Sequence, residues 1–317
     1  MGNMRPIDPR EAEVRLRGRV AETPLVAWPA QGMWLKCENQ QIGGSFKLRG
    51  ALNKILGLSP DALRRGLVAA SAGNHGIGCA VAASAVGANL VVVVPGDVVD
   101  RKRRTLERLG AEVRLADGDF AVAEALGHRL AAETGATWVS PYNDADVVAG
   151  QGTLGLELAR QLPGAVRGRA LEVFVPVSGG GLLAGVALGL REAGVHARVI
   201  GVQTEAAPYM YEFFRGRDVK AVVETPTLAD GLAGAVESGS ITWDLVKKLA
   251  DDLVLVSEIE LAEWLRAIYR EFGMLVEPSA AVAAAAASRG RGEIRVAVLS
   301  GGNANPDILG RLKEGGS

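Results

Sequence analysis

The sequence predicts an α/β fold of two doubly wound, open-sheet domains. Short Val-, Ile- and Leu-rich runs alternate with longer amphipathic stretches, the pattern of parallel strands covered on both faces by helices. Nine such strands are many for one sheet, and both halves of the chain repeat the alternation. The length of 317 residues fits one large domain or two moderate ones.

In chain order, the short apolar runs place strands at residues 33–37, 67–70, 89–94, 112–115, 137–139, 172–177, 198–203, 253–256 and 295–299. The amphipathic stretches between them place helices at 46–56, 74–86, 102–109, 120–133, 151–161, 182–192, 258–272 and 279–287. No fixed-period repeat occurs, and no long Pro- or Ser-rich linker marks a boundary.

Composition narrows the function classes. The chain is 48% hydrophobic and 22% charged, enough apolar material for a large core and too much for a disordered chain. Lys and Arg number 35 against 36 Asp and Glu, so no overall field favours nucleic acid or an anionic membrane. Glycine is the outlier, at 41 of 317 residues, about twice the usual share. The glycines show no three-residue period, which excludes collagen, and they cluster in short loops. Abundant Ala and Val with 5% aromatics suit close-packed helices on branched strands.

The start, Met1-Gly2-Asn3-Met4-Arg5-Pro6, runs into Asp, Arg and Glu with no signal-peptide-like apolar stretch, and Pro6 breaks the myristoylation pattern. Apolar windows around residues 80–95 are interrupted before membrane-spanning length. Cys37 and Cys79 lie far apart with no CxxC, so they read as buried thiols. A soluble cytoplasmic protein is expected.

Four loops carry the chemistry. Each lies where a strand or loop meets a helix, the end of an open α/β sheet that binds ligands. In Gly43-Gly44-Ser45-Phe46-Lys47-Leu48-Arg49-Gly50-Ala51, Lys47 falls in the first turn of a helix beside Phe46 and Leu48. Positive helix-terminal potential and apolar neighbours both favour the neutral amine that a Schiff base needs. Solvated helix positions for Lys47 and Arg49 are the plainer alternative. Ala70-Ser71-Ala72-Gly73-Asn74-His75-Gly76 follows a strand and offers backbone N–H groups to a carboxylate; alternatively, Ser71 or Asn74 caps the next helix. Of the other histidines, His128 and His196 read as surface residues. Val177-Ser178-Gly179-Gly180-Gly181-Leu182 joins a strand to a helix and suits a phosphate dianion. No Lys follows these glycines, which argues against a nucleoside-triphosphate loop. In Leu299-Ser300-Gly301-Gly302-Asn303, the Ser300 hydroxyl is a neutral partner for a heteroaromatic nitrogen.

Taken in order, these loops resemble the serine/threonine dehydratase family of pyridoxal-phosphate enzymes, relatives of threonine ammonia-lyase and serine racemase with the tryptophan-synthase-β-like fold (fold type II). Thr23-Pro24-Leu25, Ala149-Gly150-Gln151-Gly152-Thr153, Ala229-Asp230-Gly231 and Val276-Glu277-Pro278-Ser279 also match, so the likeness spans Thr23 to Asn303. The resemblance implies that Lys47 carries the Schiff base to pyridoxal 5'-phosphate and acts as the base at Cα. Phe46 would pack on the pyridine ring, and Asn74 would hydrogen-bond its 3-hydroxyl. Ser71, Ala72, Gly73, Asn74 and His75 would form the substrate-carboxylate loop. Ser178, Gly179, Gly180, Gly181 and Leu182 would bind the cofactor phosphate. Ser300 would face the ring nitrogen, with Gly231 and Glu277 near the cofactor. Tyr142, in Pro141-Tyr142-Asn143-Asp144, is expected close by.

The implied domains are residues 1–50 with 146–317, binding the cofactor, and a smaller, mobile substrate-carboxylate domain of residues 51–145. The implied reaction removes water from an L-β-hydroxy amino acid such as threonine or serine, giving a 2-oxoacid and ammonia, in a homodimer. Racemisation and dehydration of 3-hydroxyaspartate, phenylserine or an osmolyte-breakdown intermediate are the alternatives. Racemases of the family carry a serine where this chain has Ala72, which moves no proton. Their acidic metal ligands do not align with Gln203-Thr204-Glu205-Ala206-Ala207-Pro208-Tyr209-Met210, so no metal site is expected. The chain ends shortly after Asn303, where biosynthetic relatives continue into a regulatory domain, so no such domain is expected. Arg49 is a positional candidate for a second substrate carboxylate, with a structural ion pair as the favoured reading.

Overall fold

A computed structural model describes residues 6–162, 164, 169–305 and 308; the segment Met1–Arg5, read above for targeting signals, lies outside them. Ten strands are described: β1 (Leu25–Trp28), β2 (Met33–Lys36), β3 (Leu67–Ala70), β4 (Leu90–Pro95), β5 (Glu112–Ala116), β6 (Thr137–Trp138), β7 (Leu171–Pro176), β8 (Arg198–Thr204), β9 (Asp252–Val256) and β10 (Ile294–Val298). They form two sheets, ordered β1-β2-β10-β7-β8-β9 and β5-β4-β3-β6. Every pairing is parallel except β1 with β2.

The helices are α1 (Pro9–Leu16), α2 (Lys47–Leu56), α3 (Pro60–Arg65), α4 (Asn74–Val86), α5 (Asp100–Arg108), α6 (Phe120–Thr134), α7 (Ala145–Gln161), α8 (Gly181–Glu192), α9 (Tyr209–Phe214), α10 (Ile241–Leu249), α11 (Glu258–Phe272) and α12 (Pro278–Ser288). Both sheets are covered on both faces, as the continuous apolar strands require. On β7, Val173 and Val175 enter the core beneath α8, while Phe174 enters the opposite core with α11 and α12. On β4, Val92 and Val94 face the α2–α4 side, and Val93 faces α6. This is the strand period of two, with both faces apolar.

Part of the glycine excess sits where helices cross. A Cβ on Gly189 of α8 would run into the Gly152 carbonyl of α7, and one on Gly155 would meet the Val186 carbonyl. Gly50 and Gly150 bring α2 equally close to α7. Glycine lowers helix propensity, yet here it permits backbone contact that no other residue allows.

That contact surrounds a buried charge network. Arg49 is 1% exposed and donates to both Glu38 oxygens at 2.8 Å, to Glu157 Oε2 at 2.8 Å and to Thr153 at 3.2 Å. Lys36 pairs with the same Glu157 and donates to the Thr23 carbonyl at 2.6 Å. Two cations face two carboxylates, so the burial is electrically balanced. Arg49 is therefore structural and unavailable to a substrate carboxylate. The network fixes α2 to β2 and α7, and α2 is the helix that opens with Lys47.

Candidate active site

All four loops meet at the C-terminal ends of the parallel strands. The Ser45–Gly301 bridge and the bond from Phe46 N–H to the Ser300 carbonyl (3.1 Å) lay the lysine loop along the chain leaving β10. At the α2–α4 crossing, a Cβ on Gly78 would sit 3.1 Å from Lys47 C, so the two helix N-termini are adjacent.

Lys47 is half-buried, and its Nζ donates to the Pro141 carbonyl at 3.0 Å. Loss of hydration pulls the amine down to about 8, with only the Cys79 thiol opposing it. A carbonyl carries no full charge to hold a cation, so the nucleophilic form is far easier to reach here than at a solvated lysine.

Helix α4 begins at Asn74 with Gly73 as N-cap, and no side chain caps it. Ser71 Oγ instead accepts the Gly73 N–H at 3.1 Å. The capping alternative is not realised, and the first-turn N–H groups keep no intrahelical partner. His75 is buried, its Nε2 bonded to the Val139 carbonyl at 2.8 Å. Burial and the neighbouring lysine push the imidazole down to about 3, so the ring is neutral and turned to the backbone. What His75 can offer an anion is its backbone N–H, in the first turn of α4.

Helix α8 likewise opens without a side-chain cap, after Gly180 at φ 82°. Its loop is glycine for two reasons. Gly180 has the left-handed backbone that L side chains avoid. Gly179 and Gly181 lie under Tyr142: a methyl at Gly179 would strike its ring, and one at Gly181 would crowd its Cβ at 3.1 Å. Tyr142 thus covers the glycine loop, while its hydroxyl accepts the Glu237 N–H at 3.0 Å. Adjacent Asn143 holds Glu237 Oε2 at 2.9 Å and the Ile241 N–H at 3.0 Å. Sequence reading missed this second strap, because nothing local ties residues 142–143 to 237–241.

Asn74 donates through Nδ2 to both Glu277 oxygens at 2.8 Å, and its Oδ1 accepts from Asn303 Nδ2 at 2.7 Å. Asn303 had no assigned role in the sequence. Gly231 lies against Ser279, whose hydroxyl is 2.9 Å from a Cβ built there. Ser178 ends the β7 loop, and Leu182 is buried in the first turn of α8. Ala72 is half-buried beside the α4 core.

A desolvated lysine and two uncapped helix N-termini are thus brought together, one of them behind a glycine turn. The family model of pyridoxal-phosphate-dependent enzymes matches residues 16–301.

The chain belongs to that family.

An L-threonine ammonia-lyase of Thermotoga maritima is 39% identical over 314 residues, covering 96% of this chain and 77% of that protein. Among solved structures, the processed form of threonine deaminase isoform 2 from Solanum lycopersicum is 32% identical with a TM-score of 0.84, covering 93% of this chain and 83% of that one. Maize serine racemase is 29% identical with a TM-score of 0.85, covering 97% and 96%. The protein is a pyridoxal-phosphate-dependent lyase of the tryptophan-synthase-β-like fold. No helix among the described residues is long and apolar enough to cross a membrane. The residues fit the cofactor: a lysine whose amine is easily deprotonated for its aldehyde and a backbone cradle for its phosphate.

Proposed function

We propose that this enzyme is a threonine/serine ammonia-lyase, converting an L-β-hydroxy amino acid to a 2-oxoacid and ammonia. The single observation that carries the reading is Lys47, a desolvated amine near 8 beside two open helix N-termini. When bound as a Schiff base, pyridoxal phosphate supplies the electron-withdrawing ring that acidifies the carbon bearing the substrate amine.

The rest falls to the chain. The N–H groups of Gly181 and Leu182, with Ser178, hold the phosphate. Ser71 and the N–H groups at the start of α4 hold the substrate carboxylate, which orients the Cα proton toward Lys47. Lys47 would remove that proton and return it to the departing β-hydroxyl, which leaves as water. The released unsaturated amine takes up water to give the 2-oxoacid and ammonia. Ser300 would offer the ring nitrogen a neutral hydroxyl rather than a charged partner, a choice that suits loss of the hydroxyl over reprotonation. Ala72 provides no acid on the opposite face, which separates this reading from a racemase. Residues 51–145 serve as the substrate-carboxylate domain of a cytoplasmic homodimer.

Proton NMR of the cofactor-loaded enzyme with L-threonine or L-serine in deuterated water tests the reaction. The 2-oxoacid should dominate, and Lys47→Ala should abolish it. D-serine labelled at Cα with little pyruvate would overturn the assignment.

A further inference from the structure

We infer that Glu277 and Asn303 are positioning residues that lock the Asn74 amide with its NH2 group as the cofactor-facing donor. The inference rests on the cofactor role proposed above for Asn74. Burial raises the Glu277 carboxyl, but its Oε1 already accepts the Asn303 backbone N–H, so the Asn74 group meeting Oε1 and Oε2 at 2.8 Å must be Nδ2. Asn303 Nδ2 has only protons to offer, so the group it meets at 2.7 Å must be Oδ1. The two contacts specify the same one of the two amide flips.

The locking residues are themselves fixed. Asn303 Nδ2 also donates to the Gly43 carbonyl at 2.8 Å, and its backbone N–H donates to Glu277 Oε1 at 2.8 Å. The Glu277 N–H donates to the Gly301 carbonyl at 2.9 Å, and the Ser279 hydroxyl reaches Glu277 Oε2 at 3.4 Å. Both residues lie against glycines. A Cβ on Gly44, at φ 77°, would strike the Asn303 amide, and one on Gly301 would lie 2.9 Å from Glu277 Oε1. The lysine loop and the chain after β10 therefore each give up a side chain to admit this network.

The geometry leaves one proton over. The two oxygens of one carboxylate subtend a narrow angle at Nδ2, whereas the two amide protons point well apart. One proton is shared between the Glu277 oxygens, and the second stays available. A donor there supports the ionised 3-oxygen of the cofactor ring, whereas the flipped amide would set a lone pair against it. Glu277, placed near the cofactor by sequence likeness, acts on it through Asn74 rather than by contact.

The test is spectroscopic. Wild type, Asn74→Ala, Glu277→Gln and Asn74→Ala/Glu277→Gln are titrated with pyridoxal phosphate, recording the visible absorption band and the Kd. Glutamine presents both a donor and an acceptor, so it releases the lock while keeping the shape. Expected are a reduced visible band and an approximately tenfold weaker Kd in Glu277→Gln and in Asn74→Ala, with the double variant no worse than Asn74→Ala. Asn303→Ala should follow Glu277→Gln. An unchanged band in Glu277→Gln, or additive losses in the double variant, overturns the inference. A wild-type band that survives Lys47→Ala would instead overturn the functional reading beneath it.

Discussion

Replacing Arg49 by methionine separates a structural cation from a substrate ligand. The side chain makes three charged contacts at 2.8 Å, two to Glu38 and one to Glu157. Arg49→Met keeps the bulk and leaves two buried carboxylates sharing Lys36. Breaking a buried pair from one side costs about 3–5 kcal/mol, because the remaining charge is uncompensated. At roughly 2–4 °C per kcal/mol for a chain of this size, the melting temperature should fall by about 6–20 °C. The deficit should also shrink in acid. Burial alone pushes Glu38 up, but the Arg49 guanidinium, with the Thr23 hydroxyl and Lys36, holds the carboxyl below its ordinary value. In wild type, that depressed carboxyl contributes stability present above the unfolded pKa and lost as pH falls through the folded one. Without Arg49, burial dominates and Glu38 sits high. Its penalty is then greatest at neutral pH and fades as the group protonates. Calorimetry of both proteins from pH 7 to pH 5 should show the gap narrowing. A fall under about 3 °C, or a normal melting curve with only KM raised, would refute the structural assignment.

Three further outcomes follow from the same contacts. Gly189→Ala should destabilise by at least about 1–3 kcal/mol in urea unfolding, because its methyl meets the Gly152 carbonyl; Gly194→Ala, at φ 70° with open space around it, should cost only the backbone strain of about 1–2 kcal/mol. Cys37 and Cys79 are fully buried, and burial pushes both thiols up to about 12, so neither should react with a thiol reagent until the protein unfolds. Uptake of pyridoxal phosphate by the apoprotein, trapped with borohydride, should rise with pH through about 8 and level off above it; a midpoint at the ordinary lysine value would contradict a desolvated Lys47.

Where burial and period coincide, the sequence was nearly sufficient. The helices expected at 74–86 and 258–272 are found as Asn74–Val86 and Glu258–Phe272. The nine expected strands occur, divided between two sheets. The misses have physical causes. Strand β1 is a four-residue antiparallel edge, and α3 and α9 have six residues each, too short for a period to register. α1 is polar along most of its length. α10 also escaped the pattern reading, although Ser240 caps it. α7 starts at Ala145 rather than 151, capped by Asp144. Its glycines argue against a helix until α2 and α8 are there to pack on them. Lys47 and the loops that open α4 and α8 were readable as strand-to-helix or loop-to-helix junctions because each is contiguous. The Tyr142–Glu237 strap and the Asn74–Glu277–Asn303 network join distant segments, and only the fold brings them together.

The buried network and the cleft belong to one electrostatic arrangement. Arg49 lies two residues after Lys47, and an unpaired guanidinium there would itself disfavour the lysine cation. Glu38 and Glu157 instead absorb the charges of Arg49 and Lys36, so the interior behind Lys47 is neutral as a whole. The causes that act on Lys47 are burial and, opposing it, the Cys79 thiol. Its amine is therefore tuned by how much water reaches it rather than by a neighbouring charge. A phosphate and a carboxylate held by helix N-terminal N–H groups bring negative charge without requiring another cationic side chain. The Arg49 network meanwhile keeps the lysine-bearing helix in place.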